Sequence, residues 1–230
     1  MSLLSYSETR PWAKSIQKAV TTREMPPWFA DEAHGTFSND PSLSQAEIQT
    51  INRWVMAGAP EGDPTLMPEL PVFTEGWQLG EPDYIFELPT VEVPADGPDL
   101  LPNPMIRLEV PERRWVRAVE VRPSDPEVNH HQVIFMSDFR SQQANERFNI
   151  LAVWAAGTAP VVFPEGTGRW VKPGDMLVVN QHYHPNGKEA RTETTRVGLY
   201  FGEGEPDSVI TAILAGTMDF NIPAGESDWE

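Results

Sequence analysis

The stretch Asn129 to Met136, NHHQVIFM, reads as a β-strand that opens on two adjacent histidines. Two more histidines stand close together in QHYHPNG, at His182 and His184, although the chain has only 5 histidines in 230 residues. Outward from this stretch, short β-rich runs follow one another: DYIFELP, MIRLEVP, RWVRAVEVRP, HHQVIFM, NILAVWAAG, DMLVVNQHYH, TRVGLYFG and SVITAIL. Turn signals such as KPGD and PNGK separate them. Short strands in series without helices between them predict a mainly β fold, an antiparallel β-sandwich or jelly roll.

The N-terminal region has a different period. In SETRPWAKSIQKAVTTR, residues Trp12, Ile16, Ala19 and Val20 fall on one helix face. SLSQAEIQTINRWVMAGAP predicts a second helix, with Ser44 and Glu47 as a capping box and Gly58 and Pro60 as its stop. Residues 1–60 therefore read as a small α-helical segment, 61–75 as a proline-rich linker, 76–220 as the β-sandwich, and 221–230 as the start of a further linker.

Composition narrows the function classes. Net charge is −17, with 34 acids against 17 bases, which repels phosphate backbones and argues against nucleic acid as partner. No run approaches the length of a membrane span, so membrane insertion is not expected. The opening MSLLSYSETRPW lacks a basic region followed by an apolar run and does not read as a signal peptide. The absence of cysteine excludes disulfides, Fe–S clusters, thiolate zinc sites and thioether-linked haem.

The histidine pairs point to a metal. His182 and His184 share a face of a strand, whereas His130 and His131 point apart in an ideal one. Two adjacent histidines still meet one ion if the strand twists or the ion sits at a sheet edge. The alternative is ordinary strand histidines satisfied by backbone groups. Imidazole ligands suit copper and also zinc, and spacing does not separate the two. Asn129, Gln132, Gln181 and Tyr183 are candidates for orienting the imidazoles, or simply strand polarity. His34, in DEAHGTFSND, reads as surface.

NHHQVIFM together with PGDMLVVNQHYHPNGKEARTETTRVGLYFG resembles the N-terminal half of the copper type II, ascorbate-dependent monooxygenases, the peptidylglycine α-hydroxylating and dopamine β-monooxygenase family. The resemblance covers about Gly76 to Glu230. It implies that His130, His131 and His182 ligate one copper, the electron-donor copper, with His184 beside it or at the surface. It further implies an ascorbate-like reductant, a periplasmic or other extracytoplasmic setting, and a C-terminal domain that carries a second copper. That second site uses a His-x-His pair and a methionine, a set that His182, His184 and Met218 imitate. The context after His184 is instead that of the third donor-site histidine. MDFNIPAGESDWE resembles the approach to the C-terminal domain, so the chain reads as a slice of a longer protein, inactive alone.

Residues 1–60 resemble the back half of a cytochrome c-like module found before this copper domain in bacterial proteins. Met25 would stand where such a module has its axial ligand. Without cysteine, covalent haem is excluded, and Met25 reads as a packed methionine beside prolines. Trp12, Trp28 and Trp54 read as core residues of such a module whose first helix and haem are missing, so part of their apolar area is expected to lie exposed or to be covered by the β-sandwich.

Two other readings stand beside the copper oxidoreductase. One is a three-histidine zinc hydrolase or lyase, which lacks an evident general base near the pairs. The other is a non-catalytic copper-binding β-sandwich module. The electron-transfer reading expects neutral imidazoles with no carboxylate at the site.

Overall fold

In a computed structural model, described for residues 3–28, 30, 32–37, 39–69, 76–137, 149–212 and 220–226, the chain divides into two compact units, Met1–Phe73 and Thr74–Glu230. Met218 lies outside the described residues, as do parts of both linker segments. Among the described residues, no helix is long and apolar enough to cross a membrane.

The first unit holds helices α1 (Tyr6–Thr9), α2 (Ala13–Thr21) and α3 (Gln45–Met56). The capping box at the start of α3 forms as expected: Ser44 N–H donates to Glu47 Oε2 at 2.7 Å, and Glu47 N–H to Ser44 Oγ at 3.3 Å. The helix ends where Gly58 turns left-handed at φ 87°. The N-terminal helix departs from the expected stripe. Pro11 sits in a tight 3₁₀ turn, Arg10–Trp12, between α1 and α2. Three residues per turn instead of 3.6 shift the phase. Trp12 is left 48% exposed, while Ala13 and Val20 are buried. Trp28 and Trp54 are half-buried. Met25 is not packed away: it is 54% exposed, on the rim of a cleft that Val20, Trp28 and Ile48 also line. Its N–H donates to Ala19 O at 3.2 Å, just past the end of α2. His34 is exposed.

The second unit is a β-sandwich. Its strands are β1 (Tyr84–Glu87), β2 (Val91–Val93), β3 (Met105–Arg107), β4 (Arg114–Pro123), β5 (Asn129–Ser137), β6 (Asn149–Ala155), β7 (Val161–Val162), β8 (Thr167–Val171), β9 (Met176–Tyr183), β10 (Arg191–Glu193), β11 (Thr195–Phe201) and β12 (Ser208–Val209). One sheet runs β1-β11-β4-β8-β12, with β7 also on β4; the other runs β3-β9-β5-β6; β10 and β2 form a small ribbon. Pairing is antiparallel except for β12 on β8. SVITAIL yields only that short parallel strand among the described residues.

Both sheets contribute to one core. Val116, Val119, Val121, Val197 and Leu199 come from the first; Ile134, Leu151, Leu177 and Val179 from the second. Each such side chain contributes about 1.5–3 kcal/mol when fully buried. The alternation expected of a sandwich strand is clean in β9, where Leu177, Val179, Gln181 and Tyr183 face inward and Met176, Val178, Asn180 and His182 lie on the other face. Three irregularities break it elsewhere among the described ladders. One lies in the β4–β11 ladder between Tyr200 and Phe201, where Arg117 is skipped and Val116 and Val119 are both buried. A second lies in the β5–β6 ladder between Ile134 and Phe135, where Leu151 is skipped and Leu151 and Ala152 are both buried. The third lies at the start of β5.

Candidate metal centre

In β5 the burial order from Asn129 to Gln132 is buried, exposed, half-buried, buried. A regular strand cannot produce that order. The pairing explains it: Asn129 faces Tyr183 and His131 faces His182, so two steps on β5 match one step on β9. His130 is the extra residue of a β-bulge. The bulge shifts the strand's alternation by one residue. Asn129 and Gln132 turn inward, and both histidines are left on the outward side. The conflict between adjacent histidines and a two-residue period is thereby resolved by one inserted residue rather than by twist or a sheet edge.

His182 reaches the same place by ordinary alternation, directly across the ladder from His131. The three rings pack against one another, with centroids 5.3 Å apart for His130 and His131, 4.6 Å for His130 and His182, and 4.9 Å for His131 and His182. One ring nitrogen from each lies within 4.8 Å of the others. His130 Nδ1 and His131 Nδ1 are 3.1 Å apart. Two nitrogens bound at about 2.0–2.1 Å to one tetrahedral ion stand about 3.3–3.4 Å apart. The donor set therefore fits a single ion, with imidazole chemistry suited to copper or zinc.

His131 is held below the ordinary imidazole pKa, first by burial and then by the neighbouring His182 and His130; a hydrogen bond with Asn180 works the other way. That favours the neutral ring, the form that carries a free lone pair.

Asp99 is the residue that the sequence did not reveal. Its Oδ2 lies 2.6 Å from His182 Nε2, and its Oδ1 lies 2.7 Å from His184 Nδ1. These two contacts, His182 first, hold its carboxyl below the usual carboxylate range. The expectation of a site without a carboxylate, or of pairs without an acid nearby, is corrected here. Backbone pairing delivers Asp99. Leu100 and Tyr183 exchange two hydrogen bonds of 3.0 Å, and Gln181 N–H and Val179 N–H bond to Pro102 O and Pro104 O. Residues 100–104 thus run along β9 into β3, which sets Asp99 beside the end of β9. His184 lies outside the three-ring group, largely exposed, with its contact to Asp99.

Asn129, Gln132, Gln181 and Tyr183 do not face the rings. They point to the inner side and bond there to one another, to Thr195 and to Glu193. Gln181 Nε2 donates to Tyr183 Oη at 2.7 Å, and Tyr183 Oη donates to Glu193 Oε2 at 2.7 Å. Glu193 Oε1 accepts from Thr195 Oγ1 at 2.9 Å and from Ser124 N–H at 3.0 Å. Thr195 Oγ1 accepts from Gln132 Nε2 at 2.9 Å and Asn129 Nδ2 at 3.2 Å. Glu193 and Thr195 are fully buried.

No protein-family model matches the chain, and no curated protein matches it. Among solved structures, a chain in the cryo-EM structure of Mud Crab Dicistrovirus is similar over 87% of this chain and 94% of that one, at 12% identity and a TM-score of 0.26. A likeness at that score says nothing about function.

Proposed function

We propose that the β-unit is a copper-binding electron-transfer domain of a bacterial, extracytoplasmic oxidoreductase of the ascorbate-dependent monooxygenase type. The convergence of His130, His131 and His182 supports this reading, because it is the donor set that the resemblance in sequence implies. Bound there, copper would supply one-electron transfer from an ascorbate-like reductant, cycling between Cu(I) and Cu(II). The chain's own part is to hold three imidazoles together across two paired strands. His130 and His131 are presented by the bulge, and His182 by the ladder opposite. Hydroxylation of a substrate would need a second copper, carried on a C-terminal partner domain. The test is reconstitution with one equivalent of Cu(II). We expect a type 2 copper resonance that ascorbate bleaches, with no hydroxylated product formed by this chain alone. A chain that takes up no copper, or a copper that ascorbate leaves oxidised, overturns the reading.

Asp99 favours a second reading, a zinc hydrolase in which a carboxylate serves a metal-bound water. Both of its oxygens are engaged by His182 and His184, which leaves it poorly placed as a base. Competition between Zn(II) and Cu(I) for the apo chain, with ester hydrolysis as readout, separates the two.

A further inference from the structure

We propose that Asp99 is the positioning residue of this centre: braced by His184, it fixes His182 with Nε2–H toward its carboxylate and Nδ1 toward the other two rings. The proposal rests on the metal-site reading of His130, His131 and His182. A carboxylate has acceptors only, so the 2.6 Å contact requires the hydrogen on His182 Nε2. In a neutral ring the lone pair then sits on Nδ1. The other two histidines already face each other through Nδ1, at 3.1 Å. All three rings would thus offer the same nitrogen. A His182 free to turn about its side-chain bonds offers either nitrogen in several directions. One tied at its far nitrogen offers a single one.

The brace explains why a half-exposed aspartate can do this. Asp99 has 40% of its side chain exposed, and a lone surface carboxylate keeps little orientation. Here the 2.7 Å contact with His184 Nδ1 ties its second oxygen, and the paired backbone of Leu100 and Tyr183 fixes its Cα. His184 therefore belongs to the site without being one of its donors. A carboxylate on the far nitrogen also makes His182 a stronger electron donor.

The experiment compares the native chain with Asp99→Ala, Asp99→Asn and His182→Ala. Cu(I) affinity is read against a chromophoric chelator, and the melting temperature of each metal-free chain is recorded. We expect Asp99→Ala to keep one equivalent with affinity reduced about 10- to 100-fold. Asp99→Asn, which restores an accepting oxygen, should recover most of that loss. The melting temperatures should agree. In the metal-free native chain, the His182 Nε2 proton should give a deshielded, slowly exchanging resonance that Asp99→Ala abolishes. Native affinity in Asp99→Ala overturns the proposal and leaves the three-histidine site standing. Loss as complete as in His182→Ala, with an oxygen donor in the native Cu(II) spectrum, also overturns it by making Asp99 a ligand. Absence of copper from the native chain removes the underlying reading itself.

Discussion

Strands β5 and β9 carry polar residues on both faces, and the two faces spend them differently. Inside, Asn129, Gln132, Gln181 and Tyr183 meet Glu193 and Thr195 in a buried network, whose Tyr183 clusters with Val93 and Val128. Outside, His130, His131 and His182 stack their rings against one another. Most inner groups are matched donor to acceptor, and only Asn129 Oδ1 and Gln181 Oε1 among these residues are buried without a hydrogen-bond partner. The outer group gathers donor nitrogens in excess of the hydrogens able to pair them. Burial forces an inner network toward completion, because an unpaired polar group there costs about 1–3 kcal/mol. Partial exposure imposes no such demand, so lone pairs can be kept for a ligand. The inner face should therefore govern stability and the outer face metal binding.

The sharpest way to break this contrast is Glu193→Ala. It strips the acceptor from Tyr183, Thr195 and the Ser124 N–H at once, and should cost about 3 kcal/mol in denaturant unfolding. A loss well under 1 kcal/mol would deny the inner network its assigned role. Next come His130→Ala, His131→Ala and His182→Ala. Each should lower copper affinity by more than about a hundredfold, beyond what positions outside the ligand set usually give. Their metal-free stability should stay within about 0.5 kcal/mol of native. Native affinity in any of the three removes that residue from the site, and equal loss in His184→Ala would revive a His-x-His site. The smallest effect is a titration. Burial and two neighbouring imidazoles disfavour the charged form of His131, so its proton leaves at lower pH than from an ordinary histidine. In the metal-free chain, its ring resonances should show a midpoint below about 6.5. Protons should accordingly compete with metal at His131 only under more acidic conditions than for an unperturbed ring. A midpoint at or above the ordinary value would mean that the ring is not held as the structure has it.

The β-sandwich was legible in the sequence because alternation is written into each strand separately, and the longest runs, RWVRAVEVRP and DMLVVNQHYH, became β4 and β9. Strands β2, β7 and β10 are two or three residues long and carry too few alternations to be read. The meeting of His131 with His182 was legible as paired histidines in two strands. The bulge was not, since it is a property of two strands in register and neither sequence contains it alone. Asp99 left no trace either. In PADGPDLLPNP it is one loop acid among 34 acidic residues, and only the Leu100–Tyr183 pairing gives it a place. Trp12 leaves the helix stripe that its spacing predicts, because Pro11 lies in a 3₁₀ turn that the periodicity does not show.

His130, His131 and His182 lie on two strands, β5 and β9, that pair with each other. An ion bound by His130, His131 and His182 would be held only while β5 and β9 stay in register, so it would act on the sheet as a clasp. A ligand at a hundred times its dissociation constant stabilises the closed state by about 2.7 kcal/mol. Amide hydrogens shared between β5 and β9 should then exchange with solvent about a hundredfold more slowly when the centre is loaded, provided that their opening separates the donors. Those of α2 and α3, which hold none of the three donors, should keep their own rates.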